Sequence, residues 1–154
     1  MSAFALPYSL HVLAALVWVG GMFFAWLILR PAAVAALEGP ARLHLWVEVF
    51  QRFFVWVWIA IAALVISGVI MLHQRFAGFD AAPRYVHVMM GGAIAMIALF
   101  IRVQSLLLPE LRKAVQAQDW PTGAAVLGKI RRLVGINLLL GISVVLVATT
   151  RLMM

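Results

Sequence analysis

The sequence predicts an all-α membrane protein: four transmembrane helices in an up-and-down bundle, with both termini on the periplasmic side. Three observations carry that expectation. The chain of 154 residues is 66% hydrophobic and only 11% charged, against roughly 25% charged in ordinary globular proteins. Four apolar stretches, at about residues 6–29, 53–75, 84–107 and 132–151, are each long enough to cross a bilayer, which takes roughly 20 such residues. The basic residues are divided unevenly between the two ends. Arg30, Arg42, Arg52, Arg102, Arg112, Lys113, Lys129, Arg131 and Arg132 lie on or beside the first and third connections, while Arg75, Arg84 and Arg151 fall on the other side. Basic connections stay in the cytoplasm, so the first and third are expected inside.

The first span carries no formal charge from Met1 to Leu29. It is too long for the core of a secretory signal, and has no basic leader or clear cleavage site, so it reads as a retained helix. Pro7 suits its first turn, where a missing N–H is no loss. Arg30-Pro31 is expected to end it, because the residue before proline is disfavoured in the α region. In EGPARLHLWVEVFQRFF, Gly39-Pro40 is a breaker, and Leu43, Trp46, Val47 and Phe50 then recur at helical spacing. That pattern predicts an amphipathic inner extension of the second helix.

AGFDAAP makes a short turn, with Pro83 at the entrance to the third helix. Arg102 is followed by VQSLLL, so this helix is expected to run on with Arg102 snorkelling to the interface. It continues through LLLPELRKAVQAQ to a break at Asp119-Trp120-Pro121. Tyr8 and Tyr85 fall at the outer interface and Trp26, Trp56 and Trp58 towards the inner one, as amphipathic rings do. Gly20, Gly21, Gly68, Gly91, Gly92, Gly135 and Gly141 suit close helix packing, or clearance for a flat cofactor. Asn137 reads as an interhelical hydrogen bond and Trp18 as core. Residues 1–154 form one domain in this reading.

Composition also excludes chemistry. There is no cysteine, hence no disulfide, thiolate ligand or iron–sulfur centre. No Asp, Glu or Lys lies within the spans, so no nucleophile–base–acid set is available for hydrolysis. The net charge of +7, spread thinly among apolar runs, reads as topology and contact with anionic lipid. Nucleic acid is not an expected partner; the lipid bilayer is.

Against this background the histidines stand out. His44 falls on the amphipathic stretch and is interfacial. His11 lies one turn past Pro7, His73 at the outer end of helix two, and His87 one turn into helix three. Three spans thus deliver an imidazole to one side of the membrane. Neutral imidazole is the commonest metal ligand, and bundle interiors commonly hold cofactors. Haem b takes one or two axial histidines. Ala14 and Ala15 beyond His11 and Gly91 beyond His87 would leave it room, and Arg75 and Arg84 stand where its propionates would need cations. Copper is the alternative: Met90, three residues after His87, adds a thioether to the imidazoles, a pairing that suits Cu(I). Spacing alone does not choose between haem and copper.

The segment LHVLAALVWVGGMFF resembles the opening helix of the CopD-like superfamily of bacterial inner-membrane proteins. These have a histidine early in helix one, a tryptophan seven residues on and a glycine three after that; here the positions are His11, Trp18 and Gly21. RYVHVMMGGAIAM is similar to the start of the superfamily's third helix. The resemblance implies a multi-pass protein of the bacterial cytoplasmic (inner) membrane. Longer members, of the copper-resistance D type, are associated with copper passage across that membrane. The chain is too short for their larger bundle, so a complete copper pathway would require a homo-oligomer.

Short four-helix relatives include a haem-binding protoporphyrinogen oxidase family, with the helix-one histidine as a haem ligand, and His11 is carried over from it. Met89 stands where that family has a functional lysine, a departure that bears on the oxidase activity and not on the haem. The resulting expectation is a haem b protein with His11 and His87 as axial ligands and His73 as their partner or substitute. It would serve electron transfer or a membrane-linked oxidation near the periplasmic face, with quinone or a redox protein as partner. A haem-dependent oxidoreductase is the enzymatic form of this reading. Copper binding or transport is the first alternative, and a structural or assembly subunit without cofactor the second.

Overall fold

The computed structural model describes residues 4–76 and 78–150. Arg151, the last basic residue on the sparsely charged side, lies outside them. Four long helices account for nearly all of the described chain: α1 (Ala5–Ala36), α2 (Gly39–Phe76), α3 (Arg84–Gln116) and α4 (Trp120–Thr150). Each is long and apolar enough to span a membrane, and there is no strand among the described residues. The fold is thus the expected helical membrane bundle. For description, the terminal end carries the start of α1 and the end of α4, and the loop end carries the α1–α2 and α3–α4 connections.

Two helices differ from expectation in one respect each, with a shared cause. Helix α1 does not stop at Arg30-Pro31 but continues to Ala36. Before the proline it widens into a single broader turn, Ala25–Leu29, in which the Arg30 N–H reaches back five residues to the Ala25 carbonyl. Helix α3 does the same at Val103–Leu107, ahead of Pro109, where the Leu108 N–H donates to the Val103 carbonyl. Proline has no N–H to give and its ring crowds the carbonyl four residues back, and a widened turn relieves both. The helices therefore continue through their prolines rather than break.

The connections end by recognisable chemistry. After α3, Gln118 takes a left-handed conformation (φ 56°), and the Asp119 N–H donates to the Ala114 carbonyl at 2.9 Å, closing the helix in a Schellman-type turn. Asp119 then caps α4, its Oδ1 accepting from the Thr122 N–H at 3.2 Å. Hydrogen bonding from the Thr122 side chain, and then from its N–H, holds the Asp119 carboxyl below the ordinary aspartate range. In the α2–α3 connection Gly78 has φ 131°, a conformation side chains rarely adopt.

Helix α1 packs along α2, and α3 along α4, and the pairs join through α1–α4, α2–α4 and α2 against Leu108–Gln116. Small residues make the close approaches: Phe53 covers Gly21, Val144 covers Gly92, and Val19 and Met96 cover Gly141. The core lies towards the loop end. Its aromatic spine runs Trp46, Phe50, Phe54 and Phe100, with Trp18 edge-on to Phe100 at 6.3 Å between centroids. Towards the terminal end the packing thins. Among the described residues none is buried on α3 before Met96 or on α4 after Gly141, and on α2 beyond Ile61 Ser67 alone is buried.

Candidate functional site

The thinly packed terminal half holds the three histidines singled out from sequence. His11 is half-buried on α1, where its Nδ1 lies 2.9 Å from Ser67 Oγ on α2. Ser67 is fully buried and its hydroxyl donates to the Ala63 carbonyl one turn back. A hydroxyl has one proton. With that proton given to Ala63, Ser67 Oγ can only accept from His11, so His11 Nδ1 carries the hydrogen and Nε2 is left as a lone pair. The ring lies against Gly68, where a Cβ would make an ordinary contact with His11 Cε1 at 3.5 Å.

The other two imidazoles are set in the same sense. His73 Nδ1 lies 2.9 Å from the Val69 carbonyl, and His87 Nδ1 lies 3.2 Å from the Pro83 carbonyl. Carbonyls only accept, so both rings carry their proton on Nδ1 and offer Nε2. This is the arrangement in which ligating histidines are held, one nitrogen fixed by an acceptor and the other free for a metal. His87 also packs edge-on against Phe79 at 4.5 Å between centroids. Gly91, one turn further along α3, is exposed, and a Cβ there would meet nothing within 4 Å, so that face of the helix is open.

The histidines nevertheless belong to separate local settings. His11 is tied to α2, His87 to the start of its own helix, and His73 is exposed. Among the described residues no three His, Cys, Asp or Glu side chains gather in the manner of a metal site. Arg75 and Arg84 are both exposed at the same end; the Arg75 guanidinium stacks over Phe4 at 5.5 Å. Met90 is half-buried one turn from His87. Each imidazole therefore offers one nitrogen from its own setting, and among the described residues they do not form a three-ligand cage with carboxylates.

Two further features lie outside the sequence reading. Ser67 was not singled out there, although a lone hydroxyl in IAALVISGVIML was a signal of the same kind as the lone imidazole in helix one. A cavity of about 390 Å³ lies nearer the loop end, among Trp18, Gly21, Phe54, Phe100 and Asn137, away from the histidines. Asn137 Nδ2 donates to the Met96 carbonyl at 3.3 Å, the interhelical bond expected of it.

The family model described as copper resistance protein D matches residues 47–151. That stretch contains Ser67, His73 and His87 but begins after helix α1, so the His11, Trp18 and Gly21 pattern lies outside it. No curated protein matches the chain, and no solved structure does.

Proposed function

We propose, for a chain that belongs to the copper resistance protein D family, that its terminal half holds haem b through His11 Nε2, with His87 as the second imidazole. The chain is a multi-pass inner-membrane protein of a family linked to copper resistance. The single observation that carries the haem reading is the relay from His11 to Ser67 to Ala63. It spends a buried hydroxyl on fixing one imidazole nitrogen and leaves the other as a lone pair inside an apolar helix pair.

Haem b, when bound, supplies one-electron redox chemistry, which makes this a membrane-linked electron-transfer site. The chain's own residues hold and orient the group. Ser67 keeps the His11 ring in register, the open space beside Gly91 leaves room along α3, and Arg75 and Arg84 offer cations at the terminal end for propionates. By the positive-inside rule that end faces the periplasm. Quinone or a redox protein is the partner class in this reading.

Copper as cargo is the second reading, and the family's description favours it. Here His11, His87 and Met90 would each offer a ligand to Cu(I), which tolerates low coordination and soft donors. One experiment separates the two. The visible spectrum of detergent-purified protein, taken with its metal content, should show a strong Soret band and split bands on reduction if haem is bound. Stoichiometric copper without those bands supports the cargo reading. A colourless, metal-free protein that takes up neither on reconstitution contradicts both.

A further inference from the structure

The loop end carries a cluster that the histidine site does not use. Of the described lysines and arginines, Arg30, Arg42 and Arg131 are half-buried, and the other eight are exposed. These same three lie together. Arg30 and Arg131 border one crevice with Trp26 and Trp46, and the charges of Arg30 and Arg42 are near enough to repel that of Arg131. The Arg30 guanidinium sits 4.6 Å over the Trp26 ring. Arg131 Nε is buried and has no hydrogen-bond partner. Among the described residues the one ion pair is Arg52 with Glu48, at 3.5 Å, and it involves none of the three.

Three like charges drawn partly out of water, with no carboxylate between them, are unfavourable as they stand. An anion with several acceptor oxygens reverses the sign of that interaction. Guanidinium groups match phosphoryl oxygens in fork geometry, and the half-buried Trp26 under Arg30 suits the depth of the headgroups. We infer that Arg30, Arg42 and Arg131 form a binding site for the phosphoryl group of an anionic lipid headgroup, held at the mouth of the narrow crevice that Arg30 and Arg131 border between α1, α2 and α4. The site does not rest on the haem reading, nor on which way the bundle faces, since either orientation brings this end to a membrane surface.

The test uses the full chain in maltoside micelles and reads tryptophan fluorescence, since Trp26 and Trp46 border the crevice. It is titrated with dihexanoyl-phosphatidylglycerol, dihexanoyl-phosphatidylcholine and inorganic phosphate. The anionic lipid should give a saturable change that the zwitterionic lipid does not. Phosphate saturating as readily as the lipid would keep the phosphoryl site and make its source the free anion. Arg131→Gln should weaken binding about five-fold, the factor typical of one basic residue at an anionic surface. Arg112→Gln, with the same change in net charge, should leave it unchanged. Arg42→Gln serves the same purpose should Arg131→Gln not fold. Indistinguishable responses to the two lipids and none to phosphate would overturn the inference. So would equal weakening by Arg112→Gln, which would reduce the cluster to the general field of a basic surface.

Discussion

His11 Nδ1 stands 2.9 Å from Ser67 Oγ, a hydrogen bond between residues 56 positions apart. It joins α1 to α2 at a level where little else is buried on either helix. Because the Ser67 hydroxyl donates its hydrogen bond to the Ala63 carbonyl, the contact also decides which imidazole nitrogen is free. One bond thus has a packing role and a chemical one, and the two are separable by mutation.

Ser67→Ala removes the acceptor and leaves the His11 Nδ1–H without a partner. Interhelical hydrogen bonds in membranes average about 0.6 kcal/mol and reach about 1.7, so the loss in thermal or denaturant stability should fall in that range. The haem reading adds a second effect: with the ring no longer held, haem should be lost faster on dilution into haem-free detergent. A stability loss with unchanged haem retention would leave the bond a packing contact only.

The placement of the histidines near the periplasm depends on topology. A cysteine introduced at Gly39, at the loop end and facing open space, should resist a membrane-impermeant thiol reagent in intact cells. One at Asp80, exposed in the α2–α3 connection, should react. Asp80 is a better reporter than the nearby Gly78, whose φ of 131° a cysteine would strain. The reverse labelling pattern would place the histidines on the cytoplasmic side.

Gln118 occupies the left-handed position that closes α3, at φ 56°. Glycine meets no Cβ penalty there. Gln118→Gly should therefore stabilise the bundle, by about 0.5–1 kcal/mol once the added freedom of the unfolded chain is subtracted. Denaturation in mixed micelles measures it. A destabilised variant would mean that the Gln118 side chain contributes more than its backbone strain costs.

The spans, the short α2–α3 turn and the amphipathic extension of α2 were legible because each rests on local pattern: apolar length, breakers and helical spacing. Leu43, Trp46 and Phe50 are buried on the face their spacing marked. The end of α1 was not legible, because Arg30-Pro31 reads as a stop in local terms. A widened turn instead relieves the proline and lets the helix go on, as it does before Pro109. At the site, sequence identified the imidazoles but not their partners. Ser67 is far from His11 in the chain, and the choice between Nδ1 and Nε2 depends on a hydrogen-bond relay that exists only once α1 and α2 are packed. The arginine cluster was hidden for the same reason, since Arg30, Arg42 and Arg131 lie on three different helices and counted only as topogenic charges.

The most direct test of the central claim is the haem-to-protein ratio of purified His11→Ala, set beside wild type and His87→Ala, with folding checked by circular dichroism. Alanine is an excellent helix former and removes a polar group from an apolar setting, so helicity should be preserved. His11→Ala should be folded and nearly free of haem, or carry it in an altered spin state. His87→Ala should behave alike, while His73→Ala should retain haem with a shifted potential. Full haem retention in both the His11 and His87 variants would contradict the account.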